Sequence, residues 1–279
     1  MKLKLGGSTF SFLWREPALA SMKRLSSIPL NDFDVLLAAG HLWFDDFGAP
    51  ARRELRRMLE GEGLRIESLN LPALDFNLAS VVPEVRALTV FAYKKTIALA
   101  ADLGARGVVV VPGRVSGLMA PDRADSLAYL TETSIALLEA AGESNCRLFF
   151  ESHPQTPVPT ADALGEWVSS LHSPFALIAY DVANAEFIGE DQSAAIRRWG
   201  PLIGQYHLSD ATRTAWRHDP LGKGSVDFAA IVEAIAEQPF DGAAILEIIS
   251  SDPIADMQRG IDLIQSTHRA GTASRSTWA

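Results

Sequence analysis

The run Leu148-Phe149-Phe150-Glu151-Ser152 is short and apolar until it meets a carboxylate. The same construction returns downstream as LIAYD ending at Asp181, IGQYH ending at His207 and AAILE ending at Glu247. The intervals are 30, 26 and 40 residues (181 − 151, 207 − 181, 247 − 207), each close to the length of one strand–helix unit. Runs that are apolar on nearly every residue suit strands covered by helices on both faces of a parallel sheet. Four such strands side by side would carry three carboxylates and one imidazole to a common rim, a donor set for one divalent metal ion.

Upstream of that block the alternation continues. Strand-like runs occupy 3–9, 32–39, 64–71 and 106–112, and with those at 146–152, 176–181, 203–208 and 242–248 they number eight. Helical segments lie between them. The segment 51–60 stops at Gly61 and Gly63, 83–103 opens on Pro83 and stops at Gly104, and 121–141 opens on Pro121 and stops at Gly142. Proline in the first turn and glycine after the last are the usual helix boundaries. Shorter helices are expected at 160–171, 191–199, 227–238 and 253–269, and an opening one within 16–27. The pattern predicts an α/β chain forming a single (β/α)8 barrel over 1–270, with a flexible tail over 271–279. In such a barrel the active site lies at the C-terminal ends of the strands. An open doubly wound sheet fits less well, because Gly6-Gly7-Ser8-Thr9 is only a glycine pair, too short to cradle a pyrophosphate.

The 279 residues are 48% hydrophobic, enough for a large core, with a mean hydropathy of +0.09. A net charge of −9 argues against a nucleic-acid partner, which needs a basic face to meet phosphates. No run approaches the ~18 apolar residues of a membrane span, and the opening MKLKLGGSTFSF lacks the pattern of a secretory signal. A cytoplasmic protein acting on a small molecule is expected. Cys146 stands alone, so no intramolecular disulfide can form, and it reads as a small buried hydrophobe.

A carboxylate closing an apolar strand is costly to bury unless it is paired or metal-bound. Asp181 alone could form a salt bridge, and a lone histidine such as His207 is more often structural than a ligand. All four residues at strand ends favour the metal. Three carboxylates and an imidazole suit Mn²⁺, Mg²⁺ or Co²⁺, with Zn²⁺ less natural in the absence of thiolates. An ion holding a carbonyl oxygen and the adjacent hydroxyl oxygen stabilises an enediolate, and a carboxylate within reach moves the proton. Isomerisation, epimerisation or, with a leaving β-hydroxyl, dehydration follows from that intermediate.

In five short motifs the chain resembles the xylose isomerase-like TIM-barrel superfamily, in its sugar phosphate isomerase/epimerase branch. They are FFESH (149–153), YDVAN (180–184), HLSDATR (207–213), LGKGSVDF (221–228) and ILE (245–247), in an order and separation that cover nearly the whole chain. The resemblance implies that Glu151, Asp181, His207 and Glu247 bind one divalent metal, commonly manganese. It implies that Glu151 and Glu247 also exchange a carbon-bound proton on opposite faces of the substrate, and that Arg213 contacts substrate oxygens. Relatives are often dimers or tetramers, so a homo-oligomer is among the expectations. Two positions depart from the pattern. Asn184 stands where the family often has histidine, and can hydrogen-bond a hydroxyl but supply no proton near neutrality. Ala38 and Ala39 occupy the place of a second-strand glutamate.

Other residues are secondary candidates. His153 lies two residues beyond Glu151, on the same side of a strand, and joins Asn184, Arg213 and His41 as an expected substrate contact. Trp14 and Phe12 could stack on a sugar face, although packing is their commoner role. Arg114 is a weak candidate for binding a carboxylate, Lys223, His218 and Asp219 read as solvated loop residues, and Asp227 reads as a helix cap. The expected function is a metal-dependent isomerase or epimerase of a small sugar or keto-polyol. The first alternative is a dehydratase or lyase of the same superfamily, of the inosose, dehydroshikimate or sugar-conjugate type. A metal-dependent phosphodiesterase is disfavoured by six histidines and an acidic chain. A non-catalytic metal-binding barrel is the remaining class.

Overall fold

The computed structural model describes residues 3–276. Eight parallel strands close into a barrel: β1 (Leu5–Ser8), β2 (Asp32–Leu36), β3 (Arg65–Asn70), β4 (Gly107–Val110), β5 (Arg147–Glu151), β6 (Ala176–Asp181), β7 (Ile203–Leu208) and β10 (Ala244–Leu246). The ring closes where β10 pairs with β1, Leu5 opposite Ala244 and Gly7 opposite Leu246. Helices α1 (Ala18–Leu25), α2 (Ala49–Gly61), α3 (Pro83–Leu103), α4 (Arg123–Glu143) and α5 (Ala161–Ser170) follow the first five strands. Then come α6 (Val182–Ile188) and α7 (Gln192–Trp199) after β6, α8 (Phe228–Ala236) and α9 (Pro253–Ser276). An antiparallel hairpin, β8 (Asp210–Thr212) with β9 (Ala215–Asp219), stands outside the barrel.

The eight expected strands are all present; β6 and β7 span their whole apolar runs, and the other six are shorter than theirs. Two features were not expected. The YDVAN segment is helical from Val182, started by Asp181, whose side chain accepts from the Asn184 amide. The segment after His207 forms the hairpin, whose two-residue connection Arg213-Thr214 carries no glycine or asparagine to announce it. The expected tail boundary at 271 falls inside α9, and 277–279 lie outside the described residues. Asp122, Thr160, Asp191 and Asp227 cap α4, α5, α7 and α8, so the expected role of Asp227 holds. Cys146 is buried, which pushes its thiol pKa up to about 11.

Inside the barrel the side chains form tiers. Near the lower end Phe149 fills the space left by two glycines, for a Cβ on Gly107 would approach its ring to 2.5 Å and one on Gly204 to 2.6 Å. The Gly6-Gly7 pair likewise serves close packing, since a Cβ on Gly6 would meet Asp32 O at 2.6 Å. Above Phe149 lies a polar tier of Asp34, Ser68, Asn70 and Gln205, all buried. At the upper rim are Glu151, Asp181, His207 and Glu247. At the lower end the buried Asp32 is paired with Lys4 and Arg65, which bring its carboxyl below the usual range despite its burial.

Candidate metal centre

Strands β5, β6, β7 and β10 are consecutive around one half of the barrel, and their register brings the ends level. Asp181 lies opposite His207, and His207 opposite Ile245, two residues before Glu247. Each of Glu151, Asp181, His207 and Glu247 offers a donor atom to a group whose atoms all lie within 4.8 Å of one another. All four are buried. His207 Nδ1 stands 3.0 Å from Glu151 Oε1 and 3.2 Å from Glu247 Oε2.

Three carboxylates in one buried site shift one another strongly. Burial, with Glu247 and Glu151 nearby, raises the Asp181 carboxyl to about 7 against the pull of His218. Burial alone would depress His207, but the Glu247 and Glu151 carboxylates outweigh it and hold its pKa well above the ordinary value. Glu247 is lowered in spite of its burial, because His207 and His218 face it. Asp181 Oδ1 accepts the Asn184 amide at 2.8 Å, while its buried Oδ2 has no hydrogen-bond partner. An orphaned carboxylate oxygen beside two further carboxylates and an imidazole nitrogen is what a hard dication satisfies. The donor set fits such an ion.

The rim opens into a cavity of about 540 Å³. Of the four residues, Glu151 and Glu247 line it, whereas Asp181 and His207 lie fully buried behind them. His153 and Asn184 also line it. His153 Nδ1 accepts the Gln155 amide at 3.2 Å, so a neutral ring carries its proton on Nε2. Burial holds the His153 pKa down. Asn184 is committed to protein partners, Nδ2 donating to Ser152 O at 3.0 Å and Oδ1 accepting from Trp216 Nε1 at 2.6 Å. Arg114 lines the cavity, but its guanidinium straps neighbouring loops through Ala73 O and Gln155 Oε1.

Two expected substrate contacts stand elsewhere. The Arg213 side chain is 69% exposed at the hairpin turn, 4.0 Å from Glu186 Oε1, and does not line the cavity. His41 is buried with both ring nitrogens engaged, by Glu16 O and Thr9 Oγ1, and it fixes the loop after β2. Among the aromatic candidates, Phe12 is core and Trp14 is 72% exposed.

The hairpin supplies what sequence reading placed in solvent. Trp216 and His218 alternate to the same face of β9. Trp216 meets the His153 ring edge-on at 5.0 Å. His218 Nδ1 lies 3.0 Å from Ser209 Oγ, 3.5 Å from Glu247 Oε2 and 3.7 Å from Asp181 Oδ2. Burial opposes protonation of His218, and the carboxylates of Asp181, Glu247 and Glu151 prevail and raise its pKa. Asp210 holds the hairpin to the following loop, accepting the amides of Gly222 and Val226. No regular apolar–polar alternation runs through ATRTAWRH (211–218) to announce the hairpin.

The family model described as xylose isomerase-like TIM barrel matches residues 25–267. This chain belongs to that family. The xylose isomerase-like barrel is similar to uncharacterized protein MJ1311 of Methanocaldococcus jannaschii, at 24% identity over 88% of this chain and 84% of that protein. Among solved structures it resembles a D-tagatose 3-epimerase-like protein, with a TM-score of 0.81 at 20% identity over 95% of this chain and 99% of the other. It also resembles an L-ribulose 3-epimerase, with a TM-score of 0.78 at 21% identity over 98% of each chain. These likenesses establish the shared fold. Among the described residues of this family member, no helix is long and apolar enough to cross a membrane.

Proposed function

We propose that this protein is a divalent-metal-dependent isomerase or epimerase, acting on a small sugar or keto-polyol by proton transfer through an enediolate. The observation that carries the reading is the convergence of Glu151, Asp181, His207 and Glu247 within 4.8 Å at the floor of a cavity. The solved structures named above, sugar epimerases by name, support it. Manganese is the proposed ion and the cytoplasm the proposed compartment. When bound, a dication supplies positive charge beside two adjacent substrate oxygens, which makes the neighbouring C–H acidic. Asp181 and His207, sealed behind the cavity wall, serve to hold it.

Glu151 and Glu247 are the two members of the set that reach the cavity, and they are the proposed base and acid. One takes the proton from carbon and the other returns a proton to the opposite face or the adjacent carbon. General acid–base assistance of this kind is worth about 10²–10⁴-fold. His153 is placed to donate from Nε2–H to a substrate oxygen. The test is incubation with Mn²⁺ in D₂O against a panel of ketoses, inososes and hydroxy-keto acids. Deuterium should enter the carbon next to the carbonyl of one member, and neither Glu151→Gln nor Glu247→Gln should support it. A panel in which no member exchanges, with metal bound, would count against the reading.

One observation favours a dehydratase as the second reading. His218, whose pKa the carboxylates of Asp181 and Glu247 raise against its burial, could give a proton to a departing β-hydroxyl, which would leave as water while a glutamate takes the α-proton. Loss of water from the exchanging substrate separates this outcome from inversion.

A further inference from the structure

Beneath the metal site runs a buried file of polar side chains contributed by four strands across the barrel. Asp34 of β2 receives Ser68 Oγ of β3 at 2.5 Å, and is also approached by Asn70 Nδ2 at 3.3 Å and Ser8 Oγ at 3.4 Å. Gln205 Nε2 of β7 donates to Ser68 Oγ at 2.8 Å and lies 3.2 Å from His207 Nε2. Asp34, Ser68, Gln205 and His207 are all 0% exposed. Gln205 Oε1 is buried with no partner.

In this arrangement the Gln205 amide N–H faces His207 Nε2, which suits only a ring unprotonated at Nε2. A neutral ring of that kind would carry its proton on Nδ1, between the Glu151 and Glu247 carboxylates. That tautomer cannot offer Nδ1 to a cation in the same place, because its lone pair is occupied by the proton. For Nδ1 to be a ligand the proton must reside on Nε2, and two donors would face each other at 3.2 Å. Turning the Gln205 amide over removes the conflict. Its oxygen and nitrogen are nearly the same size, so the turn needs no extra space, and Oε1 then accepts from His207 Nε2–H. The unpartnered end of the amide passes from the oxygen to the NH₂ group, so the histidine, and not the amide's own satisfaction, drives the turn. Oε1 would also receive the Ser68 hydroxyl. Ser68 would then accept from a protonated Asp34, whose carboxyl burial already raises to about 7.

We propose that Gln205 is a positioning residue for His207: its amide oxygen holds the Nε2–H tautomer that turns Nδ1 towards Glu151 and Glu247 as a metal ligand, with Ser68 and Asp34 anchoring the amide from below. The inference rests on the metal reading proposed above. Outer hydrogen-bond partners of metal histidines typically change metal affinity about 10–100-fold when removed.

Mn²⁺ titration of the intact protein, followed by the EPR signal of the free ion, tests it with Gln205→Met and Gln205→Glu. Methionine keeps the length of glutamine and removes both polar ends. Glutamate keeps an acceptor facing His207 Nε2. The expected result is a loss of Mn²⁺ affinity of about 10–100-fold in Gln205→Met, with most of it restored in Gln205→Glu and the metal-free melting temperature of Gln205→Met close to that of the parent. Affinity within twofold of the parent in Gln205→Met would overturn the role of Gln205 while leaving the metal site standing. Equal loss in both variants would also overturn it, since packing alone would then account for the effect. Absence of Mn²⁺ binding by the parent protein would overturn the metal reading and this inference with it.

Discussion

Replacing Asp181 by asparagine should stabilise the metal-free protein while abolishing its capacity for metal. Asp181 is fully buried, its Oδ2 has no hydrogen-bond partner, and its pKa rises from the ordinary 3.8 to about 7 because burial and the neighbouring glutamates disfavour the charge. At about 1.36 kcal/mol for each tenfold change in proton affinity, the ionised group costs the fold about 4 kcal/mol at pH 8. A raised carboxyl pKa means that the folded state holds the proton more tightly than the unfolded chain. The cost therefore grows as pH rises from 3.8 towards 7 and is nearly absent below that window. At pH 5 less than half of that cost remains. Asparagine keeps the oxygen that caps Asn184 and removes the charge. His218, 3.7 Å away, loses an anionic neighbour, so these are upper figures. At about 2 °C per kcal/mol for a chain of this size, the metal-free variant should melt up to about 8 °C above the parent at pH 8 and about 3 °C above it at pH 5. Thermal melts in EDTA at both values, repeated with Mn²⁺, supply the assay. Added Mn²⁺ should raise the melting temperature of the parent and leave the variant unmoved. A metal-free variant that melts at or below the parent at pH 8 would refute the reasoning.

Three further outcomes are expected. Mn²⁺ affinity should climb as pH rises from 5.5 to 8, by up to about tenfold per pH unit for each proton released, since Asp181 and His207 both hold protons more tightly than usual; isothermal titration across that range would show it. Arg213→Gln should change kcat/KM by less than about threefold on whichever substrate exchanges deuterium, because its side chain is exposed beside Glu186 and away from the cavity; a larger loss would bring back the contact implied by family resemblance. Phe149→Ala should cost about 3–5 kcal/mol in urea unfolding, because the ring fills the space against Gly107 and Gly204.

The strand block was legible because parallel strands buried on both faces cannot hide their composition. A carboxylate at the end of such a run has few structural excuses, so Glu151, Asp181, His207 and Glu247 could be named before their geometry was known. His218 could not, because the signal for burial failed there. WRHDP looks like a solvated loop, and only the hairpin pairing of Ala215 with Thr212 turns its imidazole inwards. Arg213 and His41 stand away from the cavity for the opposite reason. A charge or imidazole near a strand end is common, and the turn and loop geometries that aim them at Glu186 and at Thr9 are tertiary facts. Gln205 lay in plain view inside IGQYH, two residues before His207 on the same face of the strand. Its meaning depends on Ser68, 137 residues away in sequence, which no local pattern reveals.

The most direct measurement is a crystal structure of the protein soaked with Mn²⁺, with anomalous scattering recorded near the manganese edge. One peak should appear among Glu151, Asp181, His207 and Glu247, about 2.0–2.4 Å from one donor atom of each, in the range of hard-cation oxygen contacts. A peak bound elsewhere, or none at saturating metal, would contradict the account.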